Sequence, residues 1–210
     1  VRAYRAIGGM SPKKSGEDFY FLQKLVKYGR LLTWNTEKVY PAARFSDRVF
    51  FGTGPAMIRG AAGDWSSYPV YHYRFFDDVR STYAAFPLLF GEDVATPLDS
   101  FIKKQLSDER PWDPLRRNST TSGRFVKACS DRIDGLRILQ YLKHSQRMSG
   151  LRDEDCLLEL IRDHYPHHFR DLFREDLNFD KAPVQQLDAI RDVLAEIEAS
   201  YQRKHHNTHA

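Results

Sequence analysis

The sequence predicts an α+β chain that is mostly α, and three observations carry that expectation. Apolar residues recur at helical spacing over most of the length, as Phe75, Val79, Tyr83 and Phe86 do at intervals of four, four and three. Short β-type runs at Lys38–Tyr40 and Val49–Phe51 interrupt the helical pattern in the first third. Loop residues lie between and behind them, Pro41-Ala42-Ala43-Arg44 and Gly52-Thr53-Gly54-Pro55. With 210 residues, 41% of them hydrophobic, one large or two small domains can bury a core. No apolar run approaches the ~20 residues of a membrane span. Two cysteines, Cys129 and Cys156, cannot define a disulfide framework or a four-thiolate zinc site, so a reduced, cytoplasmic compartment is expected.

The elements follow in order. Ser15-Gly16-Glu17-Asp18 precedes Phe19, Leu22, Leu25 and Val26, and Gly29 ends the pattern, which is a helix with a start signal and a glycine stop. The stretch around 75–86 is amphipathic until Pro87, where a break is expected. Thr96-Pro97-Leu98-Asp99 opens a short helix with a cap residue, an early proline and a carboxylate three positions on. Residues 107–123 are rich in Ser, Asp, Pro, Thr and Gly and read as a long loop or linker. One long helix is expected to carry Phe125, Cys129, Ile133, Leu136 and Leu139. Another begins near Asp153, burying Cys156, Leu157, Leu160 and Ile161. The last starts at Pro183, with Leu187, Ile190, Leu194, Ile197 and Tyr201 forming a seam against a neighbour. On this grammar residues 1–65 form one segment and 66–210 a helical extension.

Charge separates the same two parts. Residues 1–60 carry 11 Lys and Arg against four Asp and Glu, a net of +7, which leaves −3 for the other 150 residues. The overall +4 is therefore a local feature and suggests a local anionic partner.

Two strings can carry chemistry. Adjacent carboxylates Glu17 and Asp18 at a helix start, behind Gly16, can hold one carboxylate in a cleft as a proton acceptor. The same residues also fit a capping box from Ser15 to Asp18, a purely structural use. The second string is Arg44-Phe45-Ser46-Asp47-Arg48, next to Gly52-Thr53-Gly54. Two guanidiniums, a hydroxyl and glycine-loop amides suit a phosphate or diphosphate, though an exposed basic loop and a glycine turn look the same.

Taken together, Gly8-Gly9, Gly16-Glu17-Asp18-Phe19-Tyr20-Phe21-Leu22, Lys27-Tyr28-Gly29 and Val39-Tyr40-Pro41-x-x-Arg44 resemble the second half of a family-2 glycosyltransferase. The resemblance covers about residues 2–57 and implies a remnant of the acceptor side of an A-type nucleotide-sugar-binding fold. It implies that Asp18 is the general base that deprotonates an acceptor hydroxyl for inverting transfer, with Glu17 beside it. Gly8 and Gly9 would line the sugar wall, and Arg44, Ser46 and Arg48 would lie near the donor diphosphate. The family's usual histidine there is absent.

That family binds its nucleotide, with a divalent Mg or Mn on an Asp-x-Asp, in an N-terminal half that the chain does not contain. The chain is therefore expected to be the later piece of a longer enzyme, inactive alone, with its missing half, a nucleotide-sugar donor and a hydroxyl acceptor as partners. Self-association through apolar surface meant for that half is expected too. The literal Asp-x-Asp here, Asp153-Glu154-Asp155, reads as helix-start acids, and no metal site is expected in the chain. His164, His167 and His168 suit a helix end, and His205, His206 and His209 a tail. The aromatic run Tyr71–Phe76 reads as packing before it reads as a sugar-lining or membrane-proximal surface. The extension itself could bind acceptor, a partner chain or a membrane surface. The alternative function is a helical interaction module whose basic N-terminal segment binds an anionic partner, without a recognised nucleic-acid motif.

Overall fold

The computed structural model describes residues 2–13, 16–31, 39, 42, 44–47, 52–64, 66–170, 172 and 177–207. It is all-helical, with 64% helix and no strand among the described residues, which overturns the α+β expectation and the A-type fold remnant with it. The expected runs at 38–40 and 49–51 fall outside the described residues, apart from Val39, which is coil and 90% exposed. Gly52-Thr53-Gly54-Pro55, expected as a loop, instead opens a helix. Gly52 is its N-cap, and Pro55 falls in the first turn, where a missing N–H leaves no bond unmade.

Ten helices form among the described residues: α1 (Arg2–Ala6), α2 (Glu17–Tyr28), α3 (Thr53–Ala61), α4 (Tyr73–Leu89), α5 (Asp99–Leu106), α6 (Asp113–Arg117), α7 (Ser122–Arg132), α8 (Gly135–Ser149), α9 (Asp153–His164) and α10 (Val184–Asn207). They belong to two compact units, one of Val1–Pro69 with Leu158–Ala210, the other of Val70–Leu157.

The second unit is built on α4, which packs on α7 and α8, while α6 packs on α7. Its core joins Phe86, Leu89, Leu98, Ile102, Phe125, Cys129 and Ile133, all fully buried, with Trp112 and Tyr141 beside them. Helix α4 does not stop at Pro87 but runs on to Leu89. A proline in the last turn removes one hydrogen bond, and burial of Phe86 and Leu89 outweighs it. The helix end is then fixed from elsewhere. Arg116 donates to Leu89 O from Nε at 2.9 Å and Nη2 at 2.7 Å, and also reaches Asp93 Oδ1 and Asp113 Oδ1. At its start α4 is capped by buried His72, whose Nδ1 accepts from Arg74 N at 3.2 Å. Of the aromatic run around it, Tyr71 and Phe75 pack against the core, while Phe76 is exposed.

Residues 107–123, expected as a linker, hold α6 and two buried side chains, Pro111 and Trp112. The single long helix expected from Phe125 is two. Asp134 accepts from Arg137 N at 3.2 Å and caps α8 afresh, so the chain turns between Ile133 and Gly135. Helix α5 begins at Asp99 with Leu98 as its N-cap, so Thr96 and Pro97 lie ahead of it and not in the expected cap and first positions. Thr96 still binds Asp99, Oγ1 to Oδ1 at 2.7 Å and N to Oδ2 at 2.9 Å. Trp112 Nε1 also donates to Asp99.

In the first unit, Leu158, Ile161, Phe169, Leu177, Ile190 and Ile197 are buried. Of the faces the spacing predicts, Leu160 in α9 and Leu187 and Leu194 in α10 are only half-buried, and Tyr201 is exposed. Its N-terminal segment differs. Neither α1 nor α2 has a buried residue, and α3 has only Ala56 and Gly60. Apolar spacing in α2 thus gave the right helix without giving it a core.

Both cysteines are free and buried. Burial pushes the Cys129 thiol from 9.0 up to about 12. Burial, then the hydrogen bond to Asp78, likewise raises Tyr141 from 10.0 to about 12. Both groups fold neutral, so their contribution is complete below their ordinary values and is lost as pH rises from about 9 toward 12. Urea midpoints should hold steady up to that range and then fall. Cys129→Ala should remove part of the slope, and a flat profile across it would contradict the burial of both groups.

Candidate active site

The N-terminal segment holds the sequence-predicted site residues, and the structure joins some of them. After α1 the chain turns through Gly8 and Gly9, with φ of 72° and 66°, in the left-handed region that glycine enters without strain. Gly8 N donates to Arg5 O at 3.1 Å and Gly9 N to Tyr4 O at 2.8 Å, which satisfies the last carbonyls of the helix. A side chain at Gly9 would meet the Tyr4 ring at 3.0 Å. Lys24, on α2, then reaches back to this turn. Its Nζ donates to Gly9 O at 3.3 Å and Ser11 Oγ at 3.0 Å. Tyr4 packs on Phe21, ring centroids 5.8 Å apart. The Gly-Gly turn and the helix that begins with Glu17-Asp18 are therefore one piece.

Glu17 and Asp18 form the first turn of α2, behind a left-handed Gly16, and both are exposed. Asp18 Oδ1 accepts from Phe19 N at 2.7 Å. The helix dipole and the free first-turn amides favour negative charge at this end. Gly16 is the N-cap and has no side-chain cap bond, while Ser15, the other half of the expected capping box, lies outside the described residues. Close by, Lys13 Nζ sits 4.0 Å over the Tyr20 ring, a cation–π contact. Gly29 ends the helix in an extended conformation, not the left-handed one expected of a glycine stop.

The second string is only partly in view. Arg48 lies outside the described residues, and Arg44 is exposed coil. Ser46 lies directly against Gly54 in the first turn of α3. A side-chain carbon added at Gly54 would run into Ser46 O, with Ser46 Cβ at 3.0 Å. Of the Arg-x-Ser string, Ser46 alone is seen against Gly-x-Gly, and at a helix start in place of a loop. Since the obstacle is backbone, Gly54→Ala should separate the 44–47 segment from α3. Hydrogen exchange at residues 45–47 and 52–57 should speed up, and unchanged protection would mean that the contact is dispensable.

Among the described residues no cluster of three or more His, Cys, Asp or Glu is placed to hold a metal ion. Asp155 is engaged by Arg152 through bonds of 2.9 and 2.8 Å, which hold its carboxyl below the usual range. No helix among the described residues is long and apolar enough to cross a membrane.

Sequence reasoning missed Lys24, whose role depends on a turn fifteen residues earlier, and Lys13, whose aromatic partner is seven residues on. The geometry defines a helical chain with an exposed carboxylate pair on a latched Gly-Gly turn. Against family models, curated proteins and solved structures, the chain finds no match.

Proposed function

We propose that the chain is the C-terminal part of an inverting glycosyltransferase that moves a sugar from a nucleotide-sugar donor to an acceptor hydroxyl, with Asp18 as general base. The observation that carries the reading is local. The two parts of the motif, Gly8-Gly9 and Glu17-Asp18, belong to one body tied by Lys24, and its carboxylates are exposed at a helix start. The reading rests on this motif and not on a fold class.

In the proposed step the acceptor O–H gives its proton to the Asp18 carboxylate while its oxygen attacks the anomeric carbon from the side opposite the leaving group. The bond from that carbon to the diphosphate breaks, its electron pair leaves with the nucleoside diphosphate, and the anomeric centre inverts. Arg44 and Ser46 are the residues here with the chemistry to meet diphosphate oxygens. No step is assigned to a metal.

A second reading has its own support. Arg2, Arg5, Lys13, Lys27, Arg30 and Arg44 are all exposed in an all-helical chain, as a module for an anionic partner requires. One experiment separates the two. The full-length enzyme containing this chain is incubated with nucleotide sugars and hydroxyl acceptors, and the product's anomeric configuration is read by NMR. Transfer with inversion is expected. Retention of configuration, or no transfer together with salt-sensitive binding of heparin by this segment, would replace the first reading.

A further inference from the structure

The second unit carries an open cleft of about 530 Å³, set between the end of α5, the α7–α8 junction and the first turns of α8. Asp108, Asp131 and Asp134 line it together with Arg132, Arg137 and Gln140. That volume falls within the roughly 300–1,000 Å³ of small-molecule sites. Some of these groups already have structural work. Arg132 Nη1 donates to Pro111 O at 2.7 Å, Asp131 pairs with Lys127 at 3.2 Å, Asp134 caps α8, and Asp108 Oδ1 accepts from Arg110 N at 2.9 Å, which leaves its other oxygen. Two do not. Among the described residues the Arg137 guanidinium, half-buried, makes no hydrogen bond or ion pair. Among the described residues Gln140 Oε1 has no hydrogen-bond partner, and it is sealed from solvent, so it reaches the cleft only when the amide turns about its last bond. The two are three residues apart on α8 and so share a face. A buried amide oxygen without a donor is costly in a native protein and calls for an explanation.

The charges decide what the cleft accepts. Three carboxylates disfavour a phosphate or carboxylate ligand, and two guanidiniums disfavour an amine. A neutral hydroxyl meets both kinds of wall, because it donates to a carboxylate or amide oxygen and accepts from a guanidinium. Several such hydroxyls on one small rigid frame describe a sugar. We infer that this cleft is a saccharide-binding site, with Arg137 as donor, Gln140 as the amide that turns toward a sugar hydroxyl, and Asp108 as acceptor. It lies wholly in the second unit and does not depend on Asp18 being a base.

The test is an NMR titration of the full chain with maltose, cellobiose and lactose, with inorganic phosphate and lysine as charged comparators. Saturable shifts are expected at the Gln140 side-chain amide and Arg137 Nε–H with at least one disaccharide, and not with phosphate or lysine. Arg137→Gln should weaken that binding about tenfold, as loss of one hydrogen bond to a charged group does. Gln140→Met should weaken it too while leaving the melting temperature unchanged or higher, because it removes the orphaned oxygen; a purely structural glutamine would not behave so. Absence of saturable shifts with all three disaccharides, preference for phosphate or lysine, or full affinity in Gln140→Met would overturn the site. Asp18→Asn should leave the titration untouched, so failure here is distinguishable from failure of the transfer reading.

Discussion

Phe86→Ala is expected to destabilise the second unit by about 3–5 kcal/mol, the range for deleting a buried aromatic side chain. Phe86 is fully buried and sits where α4 meets the rest of the core. Its ring centroid lies 4.8 Å from Tyr83 and 5.8 Å from Trp112. Those neighbours are held by polar bonds that resist collapse into the space. Tyr83 Oη donates to Ile133 O, and Trp112 Nε1 to Asp99 Oδ1. The cavity should therefore stay open, which places the cost toward the upper end. Domains are stable by only about 5–15 kcal/mol, so such a loss should move the urea midpoint far enough to read by circular dichroism. Phe86→Leu keeps most of the volume and should lose markedly less. Equal losses in the two variants would mean that the ring's shape, and not its volume, holds α4 in place.

The same residues show which parts of the fold were legible in the sequence. Helix α10 was readable as a helix because its apolar residues repeat within one segment, but of the expected seam only Ile190 and Ile197 are buried. At Pro87 local rules predict a break. The helix survives because Leu89 is buried and because Arg116, 27 residues away in sequence, holds its carbonyl. No local window contains that information. The division between α7 and α8 was legible in principle, since Asp134-Gly135 is a cap residue followed by a poor helix former, but the apolar spacing runs across it and masks it. Residues 107–123 misled by composition: Trp112 is buried although Asp and Pro surround it. Gly52-Thr53-Gly54-Pro55 fits a loop and a helix start equally well, because both favour glycine cap positions and early proline.

The candidate site divides in the same way. Glu17, Asp18 and the Gly8-Gly9 pair were legible as types and spacings, and the helix start they imply is present. Their connection was not legible. Lysine at position 24 reads as one more basic residue on a solvated helix until its ammonium is seen on Gly9 O and Ser11 Oγ. Ser46 against Gly54 required a backbone approach that sequence does not encode in any one residue.

On the proposed transfer reading, Asp18→Asn is expected to lower the transfer rate by about 10²–10⁴-fold, the usual contribution of a positioned general base. The substitution is close to isosteric, and the amide oxygen can still accept from Phe19 N, so the first turn of α2 should keep its shape. Asp18 is exposed, and removing one first-turn charge should cost α2 no more than about 0.3–1 kcal/mol. A large loss of rate would then reflect chemistry and not unfolding, and an unchanged helical circular dichroism signal checks this directly. Donor affinity should be the same in both proteins, because an asparagine removes a proton acceptor and not a diphosphate contact. The loss should therefore fall on kcat, with the KM for donor little changed. Glu17→Gln separates the neighbours. Both variants remove one negative charge from the same turn, so an electrostatic role shared by the pair would give equal losses. A base located at Asp18 gives a much larger loss there than at Glu17. Turnover retained in Asp18→Asn would exclude it as the base and leave the exposed basic residues of this segment as its functional feature.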